Sequence, residues 1–307
     1  MLSPEQDTVA ITTWLLKIIS TGVPIPRMIV WDFSQAVLIS ISIAFAHKRD
    51  LCDYMQTCYD IATQKSSILP ATFIRLDVSH LVSIICRWDC LKRHPLPKVR
   101  QFFIRAICKA YKMETLHELE YFLESLLTVA ISPSIGTSHG ENLESQARYD
   151  FINNVIKGVS ETNEEIHTDL DEIDLEIDCH TGWVEWSRRI YERASITESK
   201  CEEGSIVNAF YNIEVANKIK KLMNYVPIWT SILLPFFNIG STIATSSSVE
   251  SEFANIKKRV FKNELPLRAD KFVMRHLDYI DGRIKEASSN CNIKDLKTET
   301  ENNEEEN

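Results

Sequence analysis

Two short apolar runs, residues 28–31 (Met-Ile-Val-Trp) and 72–78 (Thr-Phe-Ile-Arg-Leu-Asp-Val), interrupt a chain whose remaining pattern is helical. Both are rich in β-branched and apolar residues and too short for a helix, so both read as buried strands. The first leads directly into Asp32 and the second ends at Asp77, so a carboxylate stands at the end of each. Elsewhere apolar residues recur at helical spacing. Ile11, Leu15, Ile18 and Ile19 share one face of a helix expected over 7–19, which Ser20-Thr-Gly-Val-Pro-Ile-Pro ends. Further helices are expected over 34–48, 50–64, 79–91, 98–111, 115–131, 143–158, 182–194, 210–225, 247–262 and 267–287. Only 8 Gly and 10 Pro occur in 307 residues, which argues against a loop-rich all-β fold. No internal repeat is evident. The expected fold class is predominantly α, with a remnant α/β core of two short strands and a large helical insertion.

The net charge of −9 is concentrated. Residues 161–178 hold nine carboxylates and no Lys or Arg, and residues 293–307 hold six carboxylates and two lysines. Taking both segments out of the 43 acidic and 34 basic residues leaves 28 and 32, a net of +4. The acidity thus sits in two segments that read as solvated or disordered, and the mildly basic remainder permits contact with DNA. The eight cysteines are scattered, without a CxxC pair, and no secretory signal is visible, so reduced thiols are the expectation. The longest apolar stretch, 225–245, is interrupted by Pro227, Pro235, Asn238 and Gly240, and no membrane span is expected.

Four groups of residues carry chemistry. Asp32, at a strand end and before Phe-Ser-Gln-Ala, is placed as a metal-binding carboxylate is placed, held by the strand and open to a substrate. On spacing alone the favoured reading is that Asp32 or Ser34 caps the following helix. Asp77 and His80 bracket the end of the second strand and would approach Asp32 if the strands pair; on chemistry alone the favoured reading is that Asp77 or Ser79 caps a helix. Cys86, Cys90 and His94 recur every four residues, but thiolate metal sites use tighter spacing, and zinc is not expected. Thr245-Ser-Ser-Ser-Val-Glu-Ser-Glu-Phe has a capping-box pattern with Glu250 or Glu252 in the first helical turn. Lys257, Lys258, Arg259 and Lys262 follow, a set that fits phosphate contacts or a solvated helix face.

The order and wording of these motifs are more specific than any one of them. Val23-Pro-Ile-Pro-Arg-Met-Ile-Val-Trp-Asp-Phe-Ser, Phe73-Ile-Arg-Leu-Asp-Val-Ser-His-Leu-Val, Pro227-Ile-Trp-Thr, Ala244-Thr-Ser-Ser-Ser-Val-Glu-Ser-Glu-Phe and Leu267-Arg-Ala-Asp-Lys-Phe-Val-Met-Arg-His-Leu resemble Mutator-like (MULE-type) transposase-derived proteins of insects. The resemblance implies an RNase H-like DDE core, in which three carboxylates hold two divalent ions, usually Mg²⁺, about 3.5–4 Å apart for phosphoryl transfer on DNA. Asp32 would be the second carboxylate and Glu250 the third, with Glu252 as the alternative. Asp77 and His80 would be accessory. The first carboxylate would lie upstream of the first helix, so the chain is expected to be catalytically incomplete, and Mg²⁺ is expected only for a completed site.

The resemblance also implies an organisation. Residues 1–92 would be a partial RNase H-like core lacking its first strands, 93–160 a helical insertion, 161–181 an acidic linker and 182–246 the second part of the insertion. Residues 247–288 would hold the catalytic-type helix and a basic helix, and 289–307 a disordered acidic tail. Missing strands would leave an open sheet edge and a route to self-association. The expected function is that of a nuclear, transposase-derived protein retaining DNA binding. The alternatives are a fragment of an active metal-dependent transposase whose upstream exon was left out of the gene model, and a helical protein-interaction module with the acidic run as its contact segment.

Overall fold

The computed structural model describes residues 7–137, 143–157, 180–199, 204–240, 243–247 and 268–304, together with 251, 252, 254 and 256–261. The acidic run 161–178, Glu250 and Lys262 lie outside the described residues. The chain divides into two compact units, Met1–Thr245 and Ser246–Asn307.

In the first unit, α1 (Thr8–Ser20) begins where the Asp7 carboxylate accepts the Ala10 N–H at 2.6 Å. Gly22, at φ +89°, takes the left-handed turn that releases the chain into β1 (Met28–Trp31). Then come α2 (Gln35–Ala44) and α3 (Leu51–Ala62), and β2 (Phe73–Leu76) returns parallel to β1, with Trp31 opposite Leu76. A parallel return needs a crossover, and the two helices supply it.

β2 leads into α4 (Val78–Arg87) and α5 (Asp89–Lys92). The helical body follows: α6 (Pro97–Tyr111), α7 (Leu116–Ile131), α8 (Glu144–Ile156), α9 (Gly182–Ser199) and α10 (Ile213–Met223). The short α11 (Val226–Trp229) and α12 (Leu234–Phe237) complete the unit's helices. In the second unit a π-helical turn (Ile256–Val260) precedes α13 (Ala269–Glu304), which runs on through position 289, where the tail was expected to begin.

Helix α7 is the axis of the body, packing on α8, α9 and α10. Its Glu120 and Glu124 receive Arg193 of α9 at 2.6 and 2.7 Å. Trp183 is fully buried, donates its indole N–H to the Met55 carbonyl at 2.9 Å and meets Tyr59 edge-on. Gly182 is required beside it, because a Cβ there would stand 2.2 Å from the Tyr59 ring. These contacts tie the body to the crossover helix α3.

The structure departs from the sequence expectation where tertiary contacts override local pattern. Helical spacing runs through 79–91, but Trp88 leaves helical geometry at ψ 121° and separates α4 from α5. Its ring is buried, so the break lets both helices face the core. Pro227 and Pro235, read as interruptions, instead open α11 and α12 near their N-termini, where a missing N–H leaves no hydrogen bond unmade. Two strands, β3 (Ser134–Gly136) and β4 (Ile206–Val207), pair antiparallel and are too short to announce themselves. Cys58, Cys86, Cys90 and Cys108 are free, whereas Cys52 is disulfide-bonded, against the expectation of reduced thiols. Among the described residues no helix is long and apolar enough to cross a membrane.

Candidate functional site

The parallel pairing brings the two strand-end aspartates side by side. The Asp77 N–H donates to the Trp31 carbonyl at 2.8 Å, so Asp77 continues the ladder next to Asp32. The carboxyl ends of parallel strands are where open α/β sheets bind ligands.

The two carboxylates are used differently. Asp77 is fully buried, and its Oδ1 accepts the N–H groups of Ser79 at 2.7 Å and His80 at 3.2 Å, as well as the Ser79 hydroxyl. It is the N-cap of α4, so the capping alternative is the one realised there. Asp32 is half-buried, and its Oδ1, out of solvent, has no hydrogen-bond partner among the described residues. Ser34 occupies the N-cap position of α2 without making a side-chain cap bond. The capping reading therefore does not account for Asp32 Oδ1. A buried carboxylate oxygen left without a donor is costly and uncommon, and it is suited to a cation. His80 is half-buried on the first turn of α4.

Behind the strand ends lies a buried polar network that sequence reasoning did not identify. Arg75, at the centre of β2 and fully buried, donates to Ser231 Oγ at 3.1 Å, and its guanidinium stacks 4.8 Å from the Tyr111 ring centre. Ser231 Oγ donates to the Tyr111 carbonyl at 2.9 Å. The Tyr111 hydroxyl accepts the Ala244 N–H at 2.8 Å, and the Ala244 carbonyl accepts the Val78 N–H at 3.0 Å. Burial raises the Tyr111 phenol, partly offset by the neighbouring Arg75 charge, so it stays protonated at neutral pH. The visible signal was Arg75 itself, a charge inside an otherwise apolar strand.

Glu252 belongs to the second unit, where it accepts the Tyr279 hydroxyl. Lys257, Lys258 and Arg259 are exposed on the π-helical turn. Cys90 is pushed up to about 11 by burial and by Glu214, which disfavours the thiolate that metal binding requires. Among the described residues no three His, Cys, Asp or Glu side chains come together as a metal-binding group.

The sheet has one closed and one open edge. On the outer side of β2 the Ile74 N–H donates to the Tyr54 hydroxyl at 2.9 Å, and Phe237 stacks on Phe73 at 4.9 Å. The odd-numbered residues of β1 bond to β2, so Met28 and Val30 present their main-chain groups outward, and among the described residues no strand pairs with them.

The chain is similar to the 120.7 kDa protein in the NOF-FB transposable element of Drosophila melanogaster, with 29% identity over 310 residues that cover 97% of this chain and 28% of that protein. It thus spans less than a third of that relative's length. No family model matches the chain, and no solved structure matches it. The likeness ties the chain to a transposable-element protein.

Proposed function

We propose that the chain is the DNA-handling part of a transposon-derived protein of the Mutator-like, RNase H-like kind, acting in the nucleus. Asp32 is its metal-binding carboxylate. The observation that carries this reading is the buried, unpartnered Oδ1 of Asp32 at the carboxyl end of a parallel strand pair. The relatedness to a transposable-element protein supports it.

Asp32 would hold the ion, while Asp77 holds α4 and His80 rather than binding metal directly. A divalent ion bound there supplies Lewis-acid stabilisation to a phosphodiester oxygen. The protein's own part is to keep the carboxylate dry and oriented. The exposed Lys257, Lys258 and Arg259 supply phosphate contacts. With Asp77 engaged in its cap, Asp32 is the one strand-end carboxylate left for an ion, fewer than a two-ion site uses, so these residues alone bind DNA without cutting it. The open β1 edge is the route to self-association.

The test is a DNA mobility and nicking assay on the purified chain. Salt-sensitive binding without nicking in Mg²⁺ or Mn²⁺ is the expected result. Strand cleavage that disappears in Asp32→Ala would overturn the incompleteness, and absence of any salt-dependent DNA binding would overturn the DNA role.

A further inference from the structure

Helix α4 begins with its free N–H groups fully assigned. Ser79 and His80 give theirs to the Asp77 carboxylate, and Val78 gives its own to the Ala244 carbonyl at 3.0 Å. The first N–H groups of a helix have no partner within it, so whatever accepts them sets where the helix starts. For α4 that start carries both Asp77 and His80.

Ala244 is distant in sequence, and its methyl side chain cannot hydrogen-bond. It is fully buried, and its own N–H is held by the Tyr111 hydroxyl at 2.8 Å. The same hydroxyl stands 3.4 Å from the Ala244 carbonyl oxygen. Tyr111 in turn is clamped on two sides, by the Arg75 guanidinium over its ring and by Ser231 Oγ on its carbonyl. Arg75 lies two residues before Asp77 on the same strand. A closed loop of contacts therefore runs from β2 through Tyr111 and Ala244 back to the residue after Asp77.

We propose that Tyr111 is a positioning residue for the strand-end site: through Ala244 it holds the start of α4, and with it Asp77 and His80, in place against Asp32. The inference rests on the reading of Asp32 as a metal-binding carboxylate. Tyr111 does not touch the ion or the DNA; it sets the spacing of the groups around them. Packing alone would be satisfied by a phenylalanine, since the ring keeps its contact with Arg75, whereas only a hydroxyl can hold the Ala244 N–H.

The experiment compares Tyr111→Phe with Tyr54→Phe in the full chain. Tyr54 is the matched control, because its hydroxyl also accepts a buried backbone N–H on β2, that of Ile74, at 2.9 Å. Mn²⁺ is titrated in and the paramagnetic broadening of the amides flanking Asp32 is followed by NMR. Y111F is expected to weaken Mn²⁺ binding at least threefold, with Y54F within twofold of the parent. Equal weakening by both variants, or none by Y111F, overturns the proposal. Amide exchange is read on the same samples, and Ala244 and Val78 should exchange at least tenfold faster in Y111F only. If the parent chain shows no broadening near Asp32, the metal reading has failed, and the exchange result alone decides the proposal. Selective acceleration at Ala244 and Val78 upholds Tyr111 as the brace of α4, and unchanged exchange refutes it.

Discussion

β1 and β2 are both four residues long, pair in register and lead into an aspartate, yet their surroundings are opposite. Every residue of β2 is buried, its outer edge is closed by Tyr54, and its aspartate is spent on capping α4. β1 is half-buried, Trp31 is 44% exposed, and Asp32 caps nothing through Oδ1. The same local pattern thus serves stability in one strand and leaves chemistry available in the other. What separates them is how far neighbouring groups satisfy the carboxylate and the strand edge.

The contrast can be broken by substitution. The largest effect is expected at the closed strand: Phe73→Ala should lower unfolding free energy by about 3–5 kcal/mol in urea, because the ring is fully buried and stacked on Phe237. Trp31→Ala, on the exposed strand, should lose less than about 1 kcal/mol. Equal losses would mean that β1 is as buried in solution as β2.

Alkaline pH probes the same closed side. Burial pushes the Cys58 thiol, next to Tyr54, from 9.0 up to about 12. Its folded-state value is raised, so its contribution to stability is complete below pH 9 and is lost as pH rises toward 12. In that window the unfolded chain ionises first, and Cys58→Ala should flatten the decline by up to about 1.4 kcal/mol per pH unit. An unchanged slope in denaturation curves at pH 9–11 would place this thiol in contact with water.

The aspartates give the smallest and most diagnostic pair. Asp77→Ala removes a cap and should destabilise by about 1–2 kcal/mol. Asp32→Ala removes an oxygen that has no partner and should stay within about 0.5 kcal/mol of the parent, or gain stability. A loss at Asp32 matching that at Asp77 would show that its carboxylate has a structural partner after all, and the case for a ligand site there would fall.

Both central strands were legible as apolar runs, β1 at its observed bounds and β2 within one or two residues of them. The long helices were equally legible, since their apolar stripes repeat over three or more turns. α11 and α12 were not, because they are single turns holding prolines inside one long apolar stretch, and β3 and β4 were not, because three and two residues make no bounded run. At the site, the sequence showed which residue types were present but left cap and ligand open for Asp32 and Asp77 alike. Strand-end spacing is the same for both uses. The Tyr111–Ala244 contact joins residues 133 apart, and no local pattern could have shown it.

The sequence by itself determined the two central strands, the main helices and the carboxylate at each of those strand ends, because backbone propensity and apolar periodicity are local properties. The tertiary structure decided which carboxylate is satisfied. Satisfaction depends on donors: Asp77 finds them in the first turn of α4, whose start Ala244 and Tyr111 hold, and Asp32 Oδ1 finds none among the described residues.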